Sequence, residues 1–256
     1  MSAEPQYVAY DRDIAPVAAL IADPTRAAIL TALVDGRPLA AGELAYLAGV
    51  SAATASAHLA RLLDGGMVTV TRQGRHRYYR LAGPGVAAVI EALAHISPRL
   101  QVRSLRQSRQ AAALADARSC YDHLAGRAGV TLLTALLQNK ILNGCAERAT
   151  YSTATDHSRR ADSALQAEFE VTKDGALTLA AFGIDLEAVR RSRRRFAGAC
   201  LDWTQRRPHL NGALGAAVLS RLLNLSWFER GRTRRALRLT EAGREGLAET
   251  FGCTFD

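Results

Sequence analysis

Between Leu39 and Leu81 the spacing of apolar positions changes twice, and each change marks an element boundary. The stretch opens with a short helical pattern that breaks at Ala48-Gly49-Val50-Ser51, where the glycine permits a sharp turn and the serine is placed to cap a second helix. In that second helix Ala55, Leu59 and Leu62 fall at i, i+4 and i+7 and share one buried face. Gly65-Gly66 ends it. From Val68 to Leu81 the period drops to two, which predicts a hairpin turning at Gln73-Gly74-Arg75. Upstream, Ile14 to Ala22 predicts a short amphipathic helix. Asp23-Pro24 then supplies an N-cap and a first-turn proline for another over Thr25 to Val34. Met1 to Asp11 carries little pattern and reads as a partly ordered tail.

The face opposite the buried stripe carries Ala53, Thr54, Ser56, Ala57 and Arg61. Side chains this small let a helix sink into a DNA major groove, with hydroxyls for phosphate or base hydrogen bonds and alanine methyls for thymine. Arg72, Arg75, His76 and Arg77 gather at the hairpin turn. A helix-turn-helix followed by a basic hairpin is a winged helix. The plainer reading is an ordinary α+β fragment with solvated arginines. It does not account for the order of turn, capped small-residue helix, double-glycine stop and basic hairpin. The candidate DNA-contacting set is Ser51, Ala53, Thr54, Ser56, Ala57 and Arg61, with Arg72, Arg75 and Arg77 around the hairpin.

At these residues the chain resembles a known family. The runs ALIADPTRAAILTALVDG, GELAYLAGVSAATASAHLARLLDGGMV and RQGRHRYYRLAG are similar to the ArsR/SmtB family of bacterial winged-helix repressors, over about residues 14–97. The resemblance implies a homodimer that represses from a near-palindromic operator and leaves it on binding an inducer. Arsenic-responsive members carry a cysteine pair in the helix before the turn. Gly42 to Gly49 holds no cysteine, so that ligand does not transfer with the resemblance.

Beyond Gly83-Pro84-Gly85, Val86, Val89, Ile90, Leu93 and Ile96 line one face of a helix that stops at Ser97-Pro98. The resemblance implies a dimerisation helix here. Glu91 and His95 stand at i, i+4 on it and read as a solvated pair, since two such groups alone do not make a metal site. Arg99 to Ser119 predicts a long basic helix with Arg103, Arg106 and Arg109 on a solvated face. The run from Arg190 to Arg195 is read the same way.

The second half repeats itself. HLAGRAGVTLLTALLQNKIL from His123 and HLNGALGAAVLSRLLNLSWF from His209 share His123/His209, Leu124/Leu210, Gly126/Gly212, Gly129/Gly215, Leu136/Leu222 and Leu137/Leu223, each pair 86 positions apart. Cys120-Tyr121-Asp122 matches Cys200-Leu201-Asp202 at an offset of 80, and Thr172, Gly175 and Leu179 match Thr240, Gly243 and Leu247 at 68. Each copy predicts a helix (Gly129 to Leu142; Gly215 to Phe228), a hairpin and a closing helix, which is winged-helix-like in outline. The second of these helices is apolar nearly all round, the mark of a buried element rather than a groove reader.

The expected fold is therefore mainly α with small β-hairpin wings (α+β). A winged helix-turn-helix and dimerisation domain spans 1–97, a connecting helix 98–119, and a C-terminal effector or sensor domain 120–256, made of two degenerate winged-helix-like repeats, 120–198 and 199–256. At 256 residues and 48% hydrophobic, the chain is long enough to bury such cores. A formal charge of +9 favours a polyanionic partner. Of 33 basic residues only Lys140 and Lys173 are lysines, an arginine bias that a GC-rich genome also produces, which discounts part of that signal. Cys120, Cys145, Cys200 and Cys253 lie far apart with no CxxC, and there is neither a signal-peptide pattern nor a bilayer-length apolar run. The expectation is a cytoplasmic protein with reduced thiols and no membrane partner. GxSxG, P-loop, HExxH and GxGxxG signatures are absent.

Each repeat contributes a cysteine, an aspartate and a histidine: Cys120, Asp122 and His123 in one, Cys200, Asp202 and His209 in the other. If the copies pack about a pseudo-two-fold axis, these could meet as two thiolates and two imidazoles around a metal ion. Alternatively a single activated thiol could meet a small-molecule inducer or oxidant. A third reading makes the histidines and aspartates helix caps and the cysteines small core residues. No cofactor is demanded by the sequence; a bound metal ion or small-molecule inducer stays open. The function expected is a non-enzymatic, dimeric transcriptional repressor, released from double-stranded DNA by a signal sensed in the C-terminal domain. The rivals are an enzyme-like Cys/His domain tethered to a DNA-binding module and a ligand-free DNA-binding protein.

Overall fold

The computed structural model describes residues 12–98, 101–144 and 167–255. The N-terminal tail, Cys145 and the Arg99–Leu100 start of the expected long helix lie outside the described residues. The chain divides into two compact units, Met1–Ile90 and Glu91–Asp256. That boundary falls inside a helix, before the Ser97-Pro98 stop that the sequence suggests.

The first unit is assembled from local signals. After α1 (Ala15–Ile21), the Asp23 carboxylate accepts from the Arg26 N–H at 2.9 Å and Pro24 opens α2 (Pro24–Leu33). Arg26 is buried and turns its guanidinium back onto the carbonyls of Ala19 and Leu20, at 2.8 and 2.7 Å, satisfying the end of α1. β1 (Leu39–Ala40) leads into α3 (Ala41–Ala48), which stops at Gly49 with φ +67°. Ser51 accepts from the Thr54 N–H at 3.1 Å and starts α4 (Ala52–Asp64). Ala55, Leu59 and Leu62 are buried in the same unit as Ile29, Leu30, Leu33 and Leu44. Strands β2 (Val68–Gln73) and β3 (His76–Leu81) pair in register from Val68↔Leu81 to Gln73↔His76, turning through Gly74 at φ +58°, and β1 joins the free edge of β3. The sequence pattern thus gave a true hairpin at the expected turn.

Helix α5 (Pro84–Ile96) carries the apolar stripe, but the stripe divides: Ile90 is buried within the chain while Val89, Leu93 and Ile96 are exposed. The expected helix over Arg99 to Ser119 is shorter, α6 (Leu105–Asp116). Ser104 caps it by accepting from the Gln107 N–H, and Ala117 leaves the helical conformation to enter a strand. Arg103, Arg106 and Arg109 are exposed.

Two runs of the same element order follow. The first is β4 (Arg118–Cys120), β5 (His123–Ala125), α7 (Gly126–Gln138), β6 (Leu142–Gly144), β7 (Phe169–Val171) and α8 (Lys173–Ala181). After α9 (Leu186–Arg190) comes the second: β8 (Gly198–Leu201), β9 (Pro208–Asn211), α10 (Gly212–Asn224), β10 (Phe228–Arg230), β11 (Leu237–Leu239) and α11 (Glu241–Phe251). The strands pair as two-stranded antiparallel ladders. Helices α7 and α10 begin before the expected Gly129 and Gly215. Gly126 (φ +78°) and Gly212 (φ +84°) make the corner from strand to helix in a backbone conformation that L-residues avoid. The closing helices are capped alike, Thr172 accepting from the Gly175 N–H and Thr240 from the Gly243 N–H. One core joins both runs, with Leu133 and Leu136 of α7, Leu214 and Leu222 of α10, and Phe182 set edge-on to Phe251 at 4.9 Å. Among the described residues no single helix is long and apolar enough to cross a membrane.

Candidate functional site

The residues singled out from the sequence fall in two groups, an exposed one in the first unit and a largely buried one in the second. In the first, Ser51, Ala53, Thr54, Ser56, Ala57 and Arg61 are all exposed along α4, opposite its buried stripe. The hydroxyls have local partners: Ser51 shares a 2.8 Å hydrogen bond with Thr54, and Ser56 donates to the Ala52 carbonyl at 2.8 Å. Ser51 is thus first a helix cap, and each hydroxyl keeps capacity for a further acceptor or donor. Arg72, Arg75 and Arg77 are exposed on the hairpin, and among the described residues no carboxylate pairs with them or with Arg61. Ser56 shares one concave patch with Arg75, His76 and Arg77, so α4 adjoins the basic hairpin tip at that residue.

In the second unit the hairpins β4–β5 and β8–β9, which the sequence pattern did not reveal, organise the chemistry. Cys120 is the cross-strand partner of His123, and Cys200 that of His209, so each hairpin presents a thiol and an imidazole on one rung. Strand β5 packs on α10 and β9 on α7, so each hairpin lies against the helix of the other run. The matched glycines make this possible. A Cβ at Gly129 would stand 3.4 Å from the His209 Cβ and 2.4 Å from the Leu124 carbonyl oxygen; at Gly215 it would stand 3.2 Å from the His123 Cβ and 2.7 Å from the Leu210 oxygen. Each glycine is a notch that chiefly admits the carbonyl of its own run's hairpin, with the opposite histidine in contact beside it.

The result is a compact four-residue centre. The Sγ atoms of Cys120 and Cys200 are 3.9 Å apart, and the His123 and His209 rings stack with centroids 5.1 Å apart. One ligand atom from each of the four lies within 4.8 Å of the others. Cys120, His123 and His209 are buried and Cys200 is partly exposed.

Asp122 and Asp202 stand behind this cluster rather than in it. Asp122 Oδ1 is 3.5 Å from His123 Nδ1, and Asp202 Oδ2 is 3.7 Å from His209 Nδ1. An arginine holds each carboxylate: Arg194 pairs with Asp122, and the Arg118 guanidinium lies 2.9 Å from Asp202. Asp202 also accepts from the Gly126 N–H at 2.6 Å, capping α7 from the other run, and from the Thr204 and Gln205 N–H groups. Burial opposes charge on both aspartates. His123 and Arg194 beside Asp122, and Arg118 and Thr204 beside Asp202, outweigh it and hold both below the usual carboxylate range.

The inner edge of the centre is less satisfied. Nε2 of His123 and both ring nitrogens of His209 are buried without a hydrogen-bond partner among the described residues. Burial pulls the His209 pKa down. At His123 burial acts the same way, but Cys120 and Asp122 outweigh it and raise the value to about 9. The hydrogen bond with Cys200, together with burial, pushes the Cys120 thiol up to about 12. Cys253 is buried away from these groups, its thiol likewise raised to about 12 by burial, and serves as a small core residue.

Several charged residues read from the sequence as solvated are not. Glu91 is buried and pairs with Arg235, so the solvated Glu91/His95 pair is not what forms. Arg235, in the left-handed region at φ +67°, also donates from Nε to the Ser119 carbonyl at 3.1 Å, and its own carbonyl accepts from the Ser119 N–H at 2.9 Å. In the arginine run Arg194 holds Asp122, Arg195 lies 3.1 Å from Glu168, and Arg190 stacks over Phe196; Arg191 and Arg193 stay exposed. Arg118, fully buried, had no signal in the sequence beyond lying two residues before Cys120.

A helix-turn-helix domain model matches residues 21–71. The chain is 43% identical over 232 residues to the HTH-type transcriptional regulator YdfF of Bacillus subtilis, covering 91% of this chain and 94% of that protein. It is 34% identical over 73 residues to the HTH-type transcriptional regulator YgaV of Escherichia coli, covering 28% of this chain and 74% of that one. Among solved structures, the transcriptional repressor BigR from Xylella fastidiosa aligns at 28% identity with a TM-score of 0.32, covering 34% of this chain and 88% of BigR.

Proposed function

Since this chain belongs to the HTH-type transcriptional regulators, and so binds DNA to regulate transcription, we propose that α4 is its recognition helix and β2–β3 its wing, as in the ArsR family it resembles. Ala53, Thr54, Ser56, Ala57 and Arg61 enter the major groove, with Ser51 at the helix start. Arg72, Arg75 and Arg77 neutralise flanking phosphates. What supports this is that all nine side chains are exposed and that the four arginines have no intramolecular carboxylate partner among the described residues. The protein acts as a dimeric repressor on a near-palindromic operator. Val89, Leu93 and Ile96, exposed at i, i+4 and i+7 on α5, form the apolar seam with a second copy.

The region from Arg118 onward is a pair of degenerate winged modules that receives the releasing signal at Cys120, His123, Cys200 and His209. The convergence of these four residues carries this reading. A response at Cys120 has a short route outward. Its neighbour Ser119 is bonded twice to Arg235, and Arg235 pairs with Glu91 on α5. The test begins with selection of bound sequences from a random DNA pool. The Ser56→Ala/Arg61→Ala double variant should lose affinity for the selected site, and unchanged binding overturns the recognition-helix assignment. The Cys120→Ser/Cys200→Ser double variant should still bind but no longer leave that DNA when challenged with zinc, cadmium, peroxide and an electrophile. A response like the parent's overturns the sensing role.

A further inference from the structure

We infer that Cys120, His123, Cys200 and His209 form a tetrahedral first shell for a soft-to-borderline divalent cation of the zinc class, with Asp122 and Asp202 as its outer shell. The inference rests on the reading of this centre as the signal-receiving site and names what it receives.

The donor spacing fits such an ion. A tetrahedral zinc with thiolates at about 2.3 Å separates them by about 3.8 Å, and the two Sγ atoms stand 3.9 Å apart. The imidazoles are presented the right way round. Each Nδ1 faces a carboxylate, at 3.5 and 3.7 Å, while each Nε2 is buried without a partner among the described residues. Carboxylate–histidine–metal arrangements of this kind fix the tautomer and orientation of ligating imidazoles. The carboxylates are themselves committed to Arg194 and Arg118, so the inner shell offers sulfur and nitrogen only. Hard cations, which need oxygen ligands, are disfavoured.

Charge agrees with burial. Two thiolates neutralise a dication, so the loaded centre is neutral in a site from which water is largely excluded. Loading releases the two thiol protons and the extra proton of the His123 ring to solvent as the metal–sulfur and metal–nitrogen bonds form. Cys200, partly exposed, offers the way in.

The experiment titrates reduced, full-length protein with cobalt(II) and, separately, zinc, reading metal content after desalting, the visible bands of tetrahedral cobalt and the near-ultraviolet thiolate charge-transfer band. The expected result is one ion per chain with both spectral signatures. Cys200→Ser should lose the charge-transfer intensity from one thiolate and weaken retention. Asp122→Asn should keep the tetrahedral spectrum with affinity about 10–100-fold lower. No uptake by the folded parent, or a cobalt spectrum unchanged in Cys200→Ser, overturns the inference. DNA affinity measured in parallel separates the two claims. Tetrahedral cobalt with unaltered DNA affinity upholds the ion site and overturns the signal-receiving reading. Release by peroxide with no metal uptake does the reverse.

Discussion

Helices α4 and α10 are each 13 residues long, and each runs directly into an antiparallel hairpin. They put that shared outline to opposite uses. In α4 only Ala55, Leu59 and Leu62 are buried, and the remaining face is left to small polar residues and Arg61. In α10 Ala213, Leu214, Val218, Leu219 and Leu222 are buried along with Gly212 and Gly215, so little of the helix is left for a partner. Where a helix is given to the core, the chemistry moves to the hairpin before it. That is where Cys200 and His209 sit, and Cys120 and His123 take the same place before α7. A winged outline therefore does not say where a module's working surface lies. The burial of its central helix does.

The comparison can be broken at several points. Leu222→Ala in α10, where the side chain is fully buried, should cost about 2–5 kcal/mol in a denaturant melt. A loss no larger than that of an exposed α4 substitution would mean that α10 is not a core helix. Gly215→Ala should cost about 1–3 kcal/mol, because the new methyl meets the Leu210 carbonyl and the His123 Cβ. It should also disturb the centre, seen as altered cobalt bands. An intact spectrum would remove the glycine notch from the account. Leu93→Glu places a charge in the proposed seam on α5, while the side chain is exposed within one chain. The expected result is a monomer by light scattering that still unfolds in one cooperative transition. It is a cleaner probe than Ile90, whose burial within the chain would confuse dimerisation with folding. Arg75→Ala on the wing is the mildest. It should weaken binding to all sequences alike and reduce the salt slope by about one. A loss of preference at a single base position would make Arg75 a reader rather than a phosphate contact.

The first unit was legible because its signals are local. Gly49 at the turn, Ser51 at the cap and Gly74 in the hairpin each sit within a few residues of what they determine. The second unit was legible only through its repeat. The offset of 80 for the cysteines and 86 for the histidines put them in matched places, but not at one point in space. The hairpins that bring them together were missed because β4 and β5 are three-residue strands buried throughout, without alternation, joined through Tyr121 at φ +57° where a glycine would have announced a turn. The charged residues failed for a related reason. Arg194, Glu91 and Arg118 look solvated until their partners Asp122, Arg235 and Asp202 are found, and those lie far off in the chain.

That distance has a consequence for the order in which the molecule comes into being. Gly126 meets Asp202 across 76 positions, Cys120 meets Cys200 across 80, and Arg118 meets Thr204 across 86. The four-residue centre cannot be complete until His209 has been translated, whereas the helix-turn-helix and its wing are complete by Leu81. At ordinary rates of synthesis the interval is on the order of ten seconds. During it a nascent chain, or for good a chain ended early, carries the proposed DNA-reading surface without the proposed sensing centre.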